Sequence, residues 1–204
     1  ILDKVNPDMV LVNYPDDRML EFLEFKFYSR LVPVKGFDIL LKAFARTDFG
    51  GRKVYLMIAG DGKERRSIEL LTVKLGIAHK LRFIGKLDNI RGALSAADAF
   101  VLASRNEGMG IVYIEAMAAG LPVIGTAVGG VPTVIQDRHT GLLVAGEDPD
   151  AMARALSEMM VNDELRLAMG KNAANSISPK YDESTTVTRI AELYREVLGA
   201  KKRL

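Results

Sequence analysis

Asp98-Ala99-Phe100-Val101-Leu102-Ala103-Ser104-Arg105-Asn106-Glu107-Gly108-Met109-Gly110-Ile111-Val112-Tyr113-Ile114-Glu115-Ala116-Met117-Ala118-Ala119 passes from a short apolar run, through a loop with two glycines, into a segment of helical character. An unbroken run such as Ala99 to Ala103 is what a strand covered on both faces of a sheet looks like. A glycine-rich loop that enters a helix bares backbone N–H groups to an anion. Glu107 and Glu115 stand one at each end of that loop and helix, where their carboxylates can accept hydrogen bonds from hydroxyls. The stretch reads as a receptor for a phosphate flanked by two sugars.

Outward from this unit, the same beat repeats. Phe25 to Tyr28 is followed by helical periodicity over Phe37 to Ala45, Val54 to Ala59 by Glu64 to Leu75, and Leu81 to Ile84 by Ile90 to Ala97. Beyond the central unit, Pro122 to Ile124 precedes a short helix over Val131 to Gln136, and Gly141 to Val144 closes the series. Strand followed by helix, about six times over, predicts an α/β fold: a Rossmann-like, doubly wound parallel sheet with helices on both faces. After Val144 the pattern turns to helices alone, over Asp150 to Val161, Asp163 to Ser176 and Asp182 to Leu198, which are expected to pack round the sheet's edge or reach toward something outside the chain. Asp148 and Pro149 read as cap and first residue of the first of these, not as an Asp-x-Asp metal motif. Residues 1–20, with the turn signal Asn13-Tyr14-Pro15-Asp16-Asp17, read as a linker or the remnant of a preceding domain, and residues 21–204 as one domain.

Composition narrows the function classes. The 204 residues are 49% hydrophobic and 26% charged, enough for one ordinary core. A net charge of +2, with basic residues dispersed, gives no field to argue for nucleic acid. Without cysteine there is no disulfide, thiolate nucleophile or thiolate metal site. No apolar run approaches the roughly 18 residues that cross a bilayer, so a cytoplasmic protein is expected. The chain opens at Ile1 rather than Met, and reads as a domain of a longer protein. His79 and His139 are isolated in sequence, and neither a metal nor a bound cofactor is expected.

In an open α/β sheet, ligands lie beyond the carboxyl ends of the strands, so the loops that follow the strands are where chemistry is expected. The first such loop holds Arg30 and Lys35, whose cationic heads can converge on one diphosphate, Arg through a planar fork and Lys as a point charge. The second is Gly60-Asp61-Gly62. It resembles the start of a dinucleotide fingerprint, but Arg65 stands where the third glycine belongs and no acidic residue follows at the required distance. Nor is there a GxxxxGK[ST] loop, which argues against an ATPase or GTPase. In the fourth loop Glu107 precedes Gly108 and Gly110. Glu115, set among apolar neighbours, is expected to be partly buried and in need of partners. A helix beginning near Gly110 puts Glu115 about 7.5 Å along it and roughly 10 Å from Glu107. That exceeds the about 5 to 5.5 Å between the carboxyls of retaining glycosidases, so the acids read as hydroxyl receptors.

From Lys26 to about Leu198 the chain resembles the C-terminal, donor-binding domain of the retaining glycosyltransferases of family four, which have the two-domain GT-B fold. The likeness rests on the order and spacing of Arg30-Leu31-Val32-Pro33-Val34-Lys35-Gly36-Phe37-Asp38, Ile58-Ala59-Gly60-Asp61-Gly62, Phe83-Ile84-Gly85, Asp98 to Ser104 and, above all, Glu107 to Ile124. The resemblance implies that Arg30 and Lys35 clasp a pyrophosphate and that Glu107 holds hydroxyls of the transferred sugar. It further implies that the N–H groups of Gly108, Met109, Gly110 and Ile111, with Val112 and Gly60 nearby, line sugar and phosphate. Glu115 would take the ribose diol, and the backbone near Ile84 and Lys86 would flank the base. The implied partners are a nucleoside-diphosphate sugar and an acceptor sugar or lipid held by an N-terminal domain that this chain lacks, with no tightly held metal. Two positions depart from the family's habit: Ser29 stands for glycine and Met109 for phenylalanine, and the usual Asn-Gly entry is not recognisable near Asn13. A binding module without chemistry and a sugar-nucleotide epimerase of the same architecture are the alternatives.

Overall fold

The computed structural model describes residues 22–28, 30–87 and 90–201. Six parallel strands form one sheet: β1 (Phe22–Tyr28), β2 (Lys53–Ala59), β3 (Leu81–Gly85), β4 (Ala99–Leu102), β5 (Val123–Thr126) and β6 (Gly141–Val144). Their spatial order is β3-β2-β1-β4-β5-β6. Between them run α1 (Phe37–Arg46), α2 (Arg65–Lys74), α3 (Ile90–Ser95), α4 (Ile111–Ala118) and α5 (Val131–Val134); α6 (Pro149–Val161), α7 (Asp163–Ile177) and α8 (Glu183–Lys201) follow β6. The doubly wound sheet expected from the alternation is present, strand for strand. The proposed linker at residues 1–20 lies outside the described residues.

β4, β5 and the second half of β2 are where they are because their side chains have no water to face. Every residue of β4 and β5 is buried, as are Leu56, Met57, Ile58 and Ala59 of β2. Such continuous burial suits a sheet covered on both sides, whereas a half-exposed strand would alternate. The winding reverses at the centre: β1 to β2 to β3 steps one way and β4 to β5 to β6 the other. Right-handed crossovers therefore put α1 and α2 on one face and α4 and α5 on the opposite one. β1 lies between the halves, pairing with β2 from Phe22↔Lys53 to Tyr28↔Ala59 and with β4 at Phe25↔Ala99 and Lys26↔Phe100.

The helices after β6 close the edge. α6 packs on α1, α7 packs on α4, and both meet β6, so the otherwise open strand is covered. Asp148 caps α6, its Oδ1 accepting from the N–H groups of Asp150 (3.0 Å) and Ala151 (2.8 Å), with Pro149 as the first helical residue. Asn162 does the same for α7 through the Leu165 N–H at 3.0 Å. In α8, Val187, Ile190, Tyr194 and Val197 are exposed along one face.

Candidate functional site

Strand order reverses between β1 and β4, and the loops that follow these two strands meet at the sheet's carboxyl edge, where open α/β sheets receive their ligands. The β1 loop carries Arg30 and Lys35, the β4 loop carries Glu107, and the structure brings Lys35 and Glu107 together. Lys35 Nζ lies 2.5 Å from Glu107 Oε2, although 72 positions separate the two in sequence, and the side chains are only 16% and 14% exposed. Glu107 has a second partner in Ser104, a fully buried residue whose Oγ donates to the same Oε2 at 3.3 Å. The Ser104 carbonyl in turn accepts from Thr126 Oγ1, at the end of β5, at 2.5 Å. Arg30 is exposed and makes no ion pair among the described residues.

Beyond Glu107 the chain turns through Gly108-Met109-Gly110 into α4. Gly110 sits at φ 70°, ψ 58°, and a Cβ there would stand 2.6 Å from the Tyr113 ring. Only glycine meets both demands. No side chain caps α4, so amides of its first turn remain for an anion. Tyr113 is the pillar beneath: wholly buried, edge-on to Phe100 at 5.7 Å, with its hydroxyl donating to the Leu102 carbonyl at 3.1 Å. Burial, and then the charge of Glu107, raise its pKa well above the ordinary phenol value, so it stays a neutral donor.

Neighbouring loops clamp these two. The Gly60-Asp61-Gly62 loop grips the β1 loop: Leu31 N–H donates to the Asp61 carbonyl at 3.0 Å and Glu64 N–H to the Leu31 carbonyl at 3.0 Å. Gly60 itself donates to the Gly85 carbonyl at 2.6 Å, joining the ends of β2 and β3, with Ile84 half-buried and Lys86 exposed beside it. On the other flank, Gly129 and Gly130 follow β5. Gly129 has φ 53°, and a Cβ on it would meet the Glu107 carbonyl oxygen at 1.9 Å. Gly130 N–H donates to the Gly108 carbonyl at 2.8 Å. The pair thus fixes the backbone on both sides of the Glu107–Gly108 peptide. Sequence reading alone passes over these two glycines, yet a Gly-Gly pair just past a strand's carboxyl end was the available signal.

One expectation is corrected. Glu115 is exposed, not partly buried. The buried arc of α4 consists of Tyr113, Ala116 and Met117, spaced three and four apart, and Glu115 falls on the far side of the helix with Ile111, which is 63% exposed. Its apolar sequence neighbours mislead because they belong to the other arc. Met109, 47% exposed, and half-buried Val112 complete the loop's surface. Among the described residues no group of three or more His, Cys, Asp or Glu could hold a metal ion.

The chain is similar in sequence and in fold to known proteins. The profile of the glycosyl transferases of group 1 matches residues 21–176. N-acetyl-alpha-D-glucosaminyl L-malate synthase of Bacillus anthracis is 35% identical over 85% of this chain and 45% of its own length. The chain spans about half the length of the curated relatives it matches. Among solved structures, HepE of Anabaena in complex with UDP superposes with a TM-score of 0.79 at 25% identity, over 86% of this chain and 49% of that one. The C-terminal domain of LpcC, a group 1 family protein of Francisella tularensis, superposes with a TM-score of 0.72 at 25% identity, over 79% of this chain and 87% of that domain. The chain belongs to the group 1 glycosyl transferases and corresponds to their C-terminal, Rossmann-like domain within the GT-B fold.

Proposed function

We propose that this domain binds a nucleoside-diphosphate sugar where the β1 and β4 loops meet, for retaining, metal-independent transfer of the hexosyl group to an acceptor held by a part of the protein outside this chain. The observation that carries the reading is the meeting of Lys35 with Glu107 at the reversal point, beside uncapped amides of α4. In transfer, the bond between the anomeric carbon and a β-phosphate oxygen breaks and its electron pair leaves with the diphosphate, while an acceptor hydroxyl oxygen bonds to the same carbon and gives its proton to the departing phosphate. Arg30 and Lys35 offset the charge that gathers there, Lys35 from a largely buried position and Arg30 from the exposed rim. Glu107, held by Ser104, accepts from hydroxyls of the sugar. Glu115, on the exposed face of α4, is free to accept from the ribose diol, with Gly60, Ile84 and Lys86 toward the base. HepE, solved with UDP, supports a nucleoside diphosphate as the ligand, and a chain without cysteine suits the cytoplasm.

Calorimetric titration of UDP-, GDP- and ADP-sugars into wild type, Arg30→Ala and Glu115→Ala tests the assignment. Each variant is expected to lose at least about tenfold in affinity for the preferred donor, or about 1.4 kcal/mol. Unchanged binding in both variants removes the site from this edge. The domain alone is expected to bind donor without transferring it.

A further inference from the structure

The β4 loop contains a cation that the diphosphate reading leaves unused. Arg105 turns all three guanidinium nitrogens to protein groups, with three hydrogen bonds and ion pairs to two carboxylates. Nη1 donates to the Pro33 carbonyl at 2.8 Å and lies 2.9 Å from Asp38 Oδ1; Nη2 reaches Asp38 Oδ2 at 3.0 Å and Glu147 Oε2 at 3.4 Å; Nε lies 2.6 Å from Glu147 Oε1. Its backbone N–H donates to the Val34 carbonyl at 2.8 Å. One side chain therefore joins three loops: the β1 loop next to Lys35, its own β4 loop two residues before Glu107, and the loop after β6.

Glu147 is the telling partner. It is held at φ 58°, a left-handed backbone that side chains other than glycine seldom adopt, and it follows Gly146 at a turn where a second glycine would be unstrained. What the turn gains from glutamate is the carboxylate that fixes Arg105. Asp38 completes the grip: burial by itself would raise its pKa, but hydrogen bonds and charge from Arg105, then Lys42, hold it below the ordinary value and keep it anionic.

We propose that Arg105 is a positioning residue that sets Lys35 against Glu107, and that Glu147 is retained in a strained conformation to anchor it. The role in ligand binding rests on the diphosphate reading above; the strap between loops does not. Lysine cannot substitute, because three donors on one point charge do not span two carboxylates and a carbonyl on different loops.

Two measurements on Arg105→Lys, Arg105→Ala and Glu147→Gly, made on the whole chain, decide the matter. Hydrogen exchange followed by NMR needs no ligand. Amides of Lys35, Gly36 and Arg105 are expected to exchange at least about tenfold faster in each variant, while those of β2 and α6 keep wild-type rates. Calorimetry with UDP and with inorganic pyrophosphate is expected to show at least a tenfold loss of affinity for whichever probe wild type binds. In Glu147→Gly that loss comes with a melting temperature equal to or above wild type, a divergence that a merely stabilising contact cannot produce. Unchanged exchange in the β1 loop of Arg105→Ala overturns the strap, whatever the probes do. Faster exchange with undiminished affinity overturns the positioning role. If wild type binds neither probe while exchange rises as stated, the strap stands and the diphosphate reading is what fails.

Discussion

Lys35 and Glu107 answer each other's charge across 2.5 Å, so a diphosphate arriving there must share a cation that is already paired. On the proposed reading, the carboxylate costs affinity for phosphate in general and returns it only for a ligand whose transferred sugar brings hydroxyls. Glu107→Gln separates the two effects, because the amide keeps an acceptor but loses the charge. A nucleoside diphosphate without sugar is expected to bind the variant about three- to tenfold more tightly than wild type, or about 0.6 to 1.4 kcal/mol. The corresponding sugar nucleotide gains less, so the preference for sugar over free nucleotide, read by paired titrations, narrows. An unchanged preference would show that Glu107 does not meet the sugar. Other residues act by being absent: at Gly36 a Cβ would stand 1.9 Å from the Ala103 carbonyl oxygen, where the β1 loop crosses the end of β4.

At the scale of elements, α7 shows how a helix start can be tied to the sheet. Asp163, its first residue, receives both Nη groups of Arg52 at 2.5 and 3.0 Å and lies 2.7 Å from Arg166 Nη1. Arg52 directly precedes β2, so the contact fastens α7 to the strand's entrance, and a negative charge in the first turn suits the helix dipole. Hydrogen bonds from Arg52, then Arg166, lower the Asp163 pKa to about 2. A carboxylate depressed in the folded state contributes stability that is complete above its unfolded pKa of about 3.9 and fades as pH falls toward about 2. Urea unfolding of wild type and Asp163→Asn should therefore differ at pH 6 and converge between pH 4 and 2. A gap that persists at pH 2 would mean that the aspartate acts by something other than its charge.

For the whole molecule, the loops at the carboxyl edge form a chain of contacts. The β2 loop grips Leu31, Arg105 grips the β1 loop, and Gly130 grips Gly108. A ligand that engages the β1 and β4 loops together adds its binding energy to this connected edge rather than to one mobile segment. At a hundredfold excess over Kd, linkage stabilises the fold by about 2.7 kcal/mol. For a domain of this size that amounts to about 5 to 10 °C in Tm. A thermal melt with the preferred nucleotide sugar checks it, and a shift below 2 °C under saturation would place the ligand elsewhere or on the unfolded chain.

The order of the six strands and eight α-helices of the described residues, the cap at Asp148 and the glycine loop before α4 were all legible in the sequence, because periodicity, capping and turn chemistry act over a few residues and leave local marks. The family likeness added which residues to watch. What local marks could not supply was the side on which each residue faces and the neighbour it meets. Glu115 looked buried from its neighbours in sequence, but only the packing of α4 on the sheet decides which arc turns inward. Lys35 and Glu107, Arg105 and Glu147, and Gly129 beneath the Glu107 carbonyl are joined across 20 to 70 or more positions by the order of the strands in the sheet. Contacts of that range exist only once the sheet has formed, since its register alone sets the distance between loops that follow different strands.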